Sequence, residues 1–207
     1  MQDKLKNIIE LAPETAHVEP WTSLPEGGIV FVRHPSEGEL ANIVQLTQSE
    51  ISETIAPLDV VQRVFNHNPD SFWGVFRAED GVERKDAKFV GYYGLLHLSQ
   101  AGRDALESDK FDALNPPTEH LVPGGSRPSA IYIWGIVARK HVRASSPLVA
   151  WALGHKLYGG VPIYATAGTK GGLSTIKAYG FSGAREAEDG LGHLFRLDPP
   201  RKKSAVA

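Results

Sequence analysis

Ala130-Ile131-Tyr132-Ile133-Trp134-Gly135-Ile136-Val137-Ala138 is a nearly continuous apolar run, and Arg139-Lys140-His141-Val142-Arg143-Ala144-Ser145-Ser146-Pro147 follows it directly. A run this long without polar alternation reads as a central strand covered on both faces. The basic stretch reads as a loop. Pro147 is expected at the first position of a helix, where the missing N–H costs nothing and the serines before it can cap. Leu148, Val149, Trp151, Ala152 and Leu157 carry that helix to Gly159-Gly160. A helix start offers unpartnered N–H groups and the positive end of the macrodipole, so it attracts anions. Arg139, Lys140 and Arg143 add positive charge there, and the small residues Ala144, Ser145 and Ser146 let a phosphate approach the backbone. The competing reading is a solvated basic turn.

Upstream, Ile29-Val30-Phe31-Val32-Arg33 is a strand stopped by Pro35. Ser36 with Glu39 forms a capping box that opens a helix through Leu40, Ile43, Val44 and Leu46. A short helix is expected over Leu58 to Asn68. Strands over Ser71–Arg77 and Lys88–Leu98 are joined as a hairpin around Asp80-Gly81. A polar insertion spans 100–129, with a short helix through Leu106 and then loop. Downstream come a strand over Pro162–Thr166, a Gly-rich turn, a short helix ending at Tyr179-Gly180-Phe181, and a last strand near His193–Leu197. The expected organisation is an N-terminal extension over 1–27, one domain over 28–198, and a disordered tail over 199–207. Leu5, Ile8, Ile9 and Leu11 suggest one helical stripe in the extension, and Trp21 reads as a packing anchor.

The 207 residues carry 22 basic and 24 acidic side chains, a net charge of −2, and 42% are hydrophobic. That balance supports a buried core and argues against a nucleic-acid partner. The chain has no cysteine, which removes disulfides, thiolate metal sites and cysteine nucleophiles from consideration. No apolar stretch reaches the length of a membrane span, so a cytoplasmic protein without a membrane partner is expected. The eight histidines form no helical metal pair, and no metal is expected. A nucleophile elbow and a dinucleotide fingerprint are absent, and Gly168-Thr169-Lys170-Gly171-Gly172 has Walker-type residues in the wrong order.

The order of elements over residues 29–198 resembles the GCN5-related N-acetyltransferase (GNAT) fold. The resemblance rests most on Ile131–Val137 with its loop and helix, and on Pro162-Ile163-Tyr164-Ala165 with Lys177-Ala178-Tyr179-Gly180-Phe181. It implies an α/β (α+β) fold with a mixed, mostly antiparallel central sheet flanked by helices. It also implies direct transfer of an acetyl group from acetyl-CoA to a small-molecule or peptide amine. Backbone near Ile136 and Val137 would polarise the thioester carbonyl, and the loop Arg139 to Ser146 would wrap the pyrophosphate. The family's loop pattern fits in two registers. One runs Arg139, Val142, Ala144, with Val142 at a family Gly; the other starts at Arg143 and is favoured because it abuts Pro147. Ile176 occupies the position of the family's thiolate-protonating Tyr, and Tyr179, three residues later, either substitutes for it on a shifted helix or packs at the helix end; Thr169 is placed to hydrogen-bond the cofactor arm. His97 is the first candidate for general base, with Glu119 or His120 as alternatives. Tyr132 and Trp134 share one strand face and line an acceptor pocket or pack the core. A catalytically inactive domain of this fold, binding a CoA ester as a sensor or partner module, is the alternative. A homodimer is left open.

Overall fold

The computed structural model describes residues 20–51, 55–153, 160–184 and 190–199. The helix expected around Leu5–Leu11, the helix end at 154–159 and the tail from 200 onward lie outside the described residues.

Apolar alternation builds one eight-stranded sheet. In chain order its strands are β1 (Trp21–Ser23), β2 (Ile29–Arg33), β3 (Phe72–Ala78), β4 (Lys88–Leu98), β5 (Ala130–Val137), β6 (Ile163–Thr166), β7 (Ser182–Gly183) and β8 (Leu194–Leu197). Their spatial order is β1-β2-β3-β4-β5-β6-β8-β7. Every pairing is antiparallel except β5 with β6. The described helices are α1 (Glu37–Glu50), α2 (Leu58–His67), α3 (Gln100–Glu107), α4 (Val142–Leu153) and α5 (Lys170–Ala178).

Two cores lie on opposite faces of the sheet. Leu40 and Ile43 of α1 and Val60, Val61 and Val64 of α2 pack with Phe72, Leu96, Leu98 and Tyr132. On the other face Val149 of α4 packs with Val30, Val32, Tyr93, Leu95 and Ile131. From Tyr92 onward, residues on β4 alternate between these cores, as the two-residue period of a strand requires.

Three placements differ from the sequence reading. The segment before Gly28 contributes β1 to the sheet, and Trp21 is 49% exposed with the Arg84 guanidinium 5.7 Å from its ring centroid. The second part of the insertion is packed: Leu98 bridges Leu121, and the Ser99 N–H donates to the His120 carbonyl at 3.0 Å. Most consequentially, α4 begins at Val142, five residues before Pro147, which lies inside the helix. A tight turn over Arg139–His141 leads straight into it, with the His141 N–H donating to the Ala138 carbonyl at 2.7 Å. Pro147 therefore costs α4 the bond that the Arg143 carbonyl would have accepted.

Candidate active site

The site begins with a defect in the sheet. On β4 the step from Gly94 to Leu95 faces a step from Gly135 to Ile133 on β5, so Trp134 is an extra, bulged residue. The bulge resets the alternation: Tyr132 and Trp134 face the α1–α2 core, while Ile136 turns to the α4 core and Val137 back again. The parallel partner is lost at the same place. β5 pairs with β6 only through Ile131–Ile163, Tyr132–Tyr164 and Ile133–Ala165. From Trp134 to Val137, β5 has no strand partner on that edge among the described residues. A wedge of strand backbone without a ladder partner opens there, and β5 leads through the Arg139–His141 turn into α4.

Tyr93 fixes that start. Its phenol oxygen lies 2.8 Å from the hydroxyls of both Ser145 and Ser146. Ser145 donates its proton to the His141 carbonyl at 2.8 Å, so Tyr93 donates to Ser145 and Ser146 donates to Tyr93. Burial raises the Tyr93 pKa against the opposing pull of both serines, and the nearby Tyr179 phenol adds to the rise. The structure thus brings together Ile136, which registers opposite Tyr93, the first turns of α4, and Tyr179.

The serines do not cap the helix as expected, because they lie inside it. Ser145 is fully buried and both hydroxyls face Tyr93. With the helix starting at Val142, the stretch Arg143 to Ser146 lies inside α4 and is not a loop before it. Arg143 and Ala144 line a groove that α4 forms with Pro20–Pro25. Lys140 and His141 line another, with Asn42 and Gln45 of α1 and with Arg77 and Lys88.

The end of α5 explains the Tyr179-Gly180-Phe181 stretch locally. Gly180 has φ 86°, and its N–H donates to Lys177 O at 3.0 Å while the Phe181 N–H donates to Ile176 O at 3.2 Å. This is the six-to-one and five-to-two pairing of a glycine-terminated helix. Thr169 is the N-cap of α5, its hydroxyl accepting from the Gly172 N–H at 3.0 Å.

His97 stands apart from the wedge. It registers with Ile131, near the closed end of β5, and is 1% exposed. The Asn68 side-chain amide lies 2.7 Å from Nδ1 and donates to it, which puts the ring proton on Nε2. Burial lowers its pKa to about 4. These features give it a buried hydrogen-bonding role, away from the stretch where β5 leaves β6. Glu119 and His120 lie in a helical turn over Thr118–His120, with the His120 ring stacked 6.0 Å from Phe111.

Sequence reasoning passed over Tyr92 and Thr47. They meet in a cavity of about 180 Å³ beneath the bulge, between α1, α2 and β5, whose lining includes Phe72, Trp134 and Gly135. Their oxygens are 2.6 Å apart. The Trp134 indole donates to the Ala113 carbonyl at 2.6 Å, and Phe111 sits edge-on to Tyr132 at 5.9 Å, so the insertion closes one side of this cavity.

A mixed sheet, antiparallel but for the β5–β6 pair and flanked by helices, is the arrangement that the sequence resemblance implied. The chain has the GNAT fold. The crystal structure of the GNAT domain of S. lividans PAT superposes with a TM-score of 0.51 over 90% of this chain and 99% of that chain, at 14% identity. Arabidopsis thaliana NAA60, solved in complex with a bisubstrate analogue, is also 14% identical, with a TM-score of 0.48 over 84% of this chain and 99% of that one. No family model and no curated protein sequence matches the chain. The likeness is therefore one of fold, at low sequence identity. Among the described residues no helix is long and apolar enough to cross a membrane, and no three His, Asp or Glu side chains gather as a metal site.

Proposed function

We propose that the chain is an acyl-CoA-dependent N-acyltransferase that passes an acetyl group from acetyl-CoA directly to a small-molecule or peptide amine. One observation carries this reading: β5 leaves β6 after Ile133 and Ala165 and runs into the N-terminus of α4. A pantetheine arm is a narrow chain with two amides, and strand backbone without a partner is the surface such a chain can pair with. The pyrophosphate at its far end needs N–H donors and positive potential, which the opening turn of α4 supplies.

In this assignment the backbone of Arg139, Val142, Arg143 and Ala144 cradles the phosphates. Backbone of Ile136 and Val137 polarises the thioester carbonyl, Tyr179 protonates the departing sulfur, and Thr169 contacts the arm. The amine attacks the carbonyl carbon without an intermediate on the protein, in keeping with a chain that contains no cysteine. The inactive binding module is favoured by two residues, Val142 at the family's glycine position in the loop and Ile176 at its tyrosine position.

Thermal unfolding with acetyl-CoA and with CoA tests both readings. The midpoint is expected to rise with ligand concentration, as mass action requires for a ligand that binds only the folded chain. Lys140→Glu combined with Arg143→Glu should abolish the rise, because it reverses the potential at the helix start. No rise at millimolar ligand would overturn both, and release of free thiol with an amine panel separates the enzyme from the module.

A further inference from the structure

The cavity beneath the bulge has a distinct chemistry. At about 180 Å³ it falls below the roughly 300 Å³ at which drug-sized sites begin. Its walls are apolar, with Ile43, Ile51, Ile55, Val61 and Phe72 among them, and no described lining residue carries a formal charge. Of its polar side chains, the Trp134 indole N–H is donated to Ala113 and the Tyr132 hydroxyl to Thr166 at 3.4 Å, while Thr47 and Tyr92 bond one another.

The proton positions at that pair follow from counting. Thr47 donates its single hydroxyl proton to the Ile43 carbonyl, 2.6 Å away. The 2.6 Å contact with Tyr92 is then made by the phenol proton, which leaves the lone pairs of the Tyr92 oxygen to accept. Burial raises the Tyr92 pKa, so the phenol stays neutral. Its oxygen also lies against the bulge: a Cβ on Gly135 would stand 2.8 Å from it. The acceptor is thus beside the strand backbone where the wedge opens.

We propose that this cavity takes a small apolar amine that is uncharged near neutral pH, of the arylamine class, and that the Tyr92 oxygen accepts its N–H. This rests on the acyl-transfer reading above and adds the class of acceptor. A cationic amine entering the cavity would shed its water with no carboxylate among the described lining residues to replace it, a penalty that one neutral hydrogen bond does not offset. A neutral amine enters without that penalty and needs no charged base. Its nitrogen lone pair forms the C–N bond at the thioester carbonyl and the C–S bond breaks. One proton leaves nitrogen and one is taken up by sulfur, so amine plus thioester gives amide plus thiol in balance.

Calorimetric titration of the full chain at pH 7, saturated with CoA, tests this with aniline and cyclohexylamine, rings of similar size of which only the second is protonated. Aniline is expected to bind at least about tenfold more tightly, a difference of about 1.4 kcal/mol. Tyr92→Phe should weaken aniline binding by roughly two- to tenfold, the worth of one hydrogen bond, and leave the acetyl-CoA thermal shift in place. Ile51→Glu, at a rim position that is 37% exposed and so tolerant of change, should reverse the preference toward cyclohexylamine. Equal or tighter binding of cyclohexylamine by the unaltered chain, or aniline binding indifferent to Tyr92→Phe, overturns the proposal. A missing acetyl-CoA shift would instead sink both CoA-based readings, and the amine titration repeated without CoA then reads the cavity by itself.

Discussion

The Tyr93 phenol on β4 lies 2.8 Å from the Ser145 hydroxyl on α4, and this contact anchors the start of the helix to the sheet. Ser145 is fully buried and passes its own proton to His141, so the three residues form a relay from β4 to the turn that precedes α4. Tyr93→Phe is expected to lower stability by about 1 kcal/mol, the net worth of a hydrogen bond. It should also weaken CoA binding, because the N–H groups of α4 are no longer held in place. Urea denaturation reads the first effect and the CoA-induced thermal shift the second. A variant destabilised to this extent whose relative CoA response is unchanged would leave Tyr93 as a packing residue only.

Gly91 permits the close approach of β4 to the end of β5. A Cβ at this position would stand 2.2 Å from the Val137 carbonyl oxygen and 2.7 Å from the Ala138 Cα, both backbone atoms that cannot swing aside. Gly91→Ala should therefore cost about 1–3 kcal/mol, the usual range for overpacking. Gly135→Ala makes a useful contrast. Its nearest neighbour is the Tyr92 hydroxyl at 2.8 Å, the end of a side chain, so the smaller stability loss should come with a displaced phenol and weakened amine binding. Equal denaturation midpoints for the two variants would contradict this ordering.

The frame of the fold was legible because it is written in periodicity. The strands at Ile29–Arg33 and Ala130–Val137 and the capping box at Ser36 and Glu39 all appear where local pattern puts them. The start of α4 was misplaced because proline's local preference for a first helical turn was overridden by tertiary contacts, namely the buried Ser145 and its bonds to His141 and Tyr93. The acceptor cavity was illegible for a different reason. Thr47, Tyr92 and Gly135 are 45 and 43 residues apart along the chain, and only the sheet register and the bulge at Trp134 bring them together. The surroundings of His97 were illegible for the same reason, since sequence does not reveal the Asn68 contact or the closed core around it.

His97 gives the protein an acid sensitivity with a defined window. Its folded pKa of about 4 lies below the ordinary histidine value of 6.5, chiefly through burial, with Asp70 pulling weakly upward. Between those values the unfolded chain takes up a proton that the folded chain refuses, so stability falls as pH drops from about 6.5 to about 4. His141 contributes in the same sense, its pKa lowered by burial and by Lys140 and Arg77 against a weaker upward pull from Glu26. His97→Gln keeps a polar partner for Asn68 and removes the titrating ring. Its denaturation midpoint should depend less on pH across this window than that of the parent chain, and parallel curves would exclude His97 as the source.

Glu39 sets a second window at lower pH. Its carboxylate accepts from both Nη atoms of Arg33 at 2.8 and 2.9 Å and from the Ser36 N–H at 2.7 Å, tying the first turn of α1 to the end of β2. The Arg33 guanidinium, itself 3.8 Å from the Phe76 ring centroid, is the main reason the carboxyl is held at about 2, with burial opposing and the Ser36 bonds assisting. A depressed carboxylate pKa contributes stability that is complete above its ordinary value of 4.5 and is lost as pH falls toward about 2. Glu39→Gln should therefore be less stable than the parent at pH 7, with the gap closing between pH 4.5 and 2. Arg33→Met should narrow the same gap, since it removes the cation that depresses the pKa. The double variant should cost less than the sum of the two single changes, because each alone already breaks the bidentate pair. Urea denaturation at pH 7 and at pH 2.5 measures all four chains, and additive losses at pH 7 would show that the pair does not act as a unit.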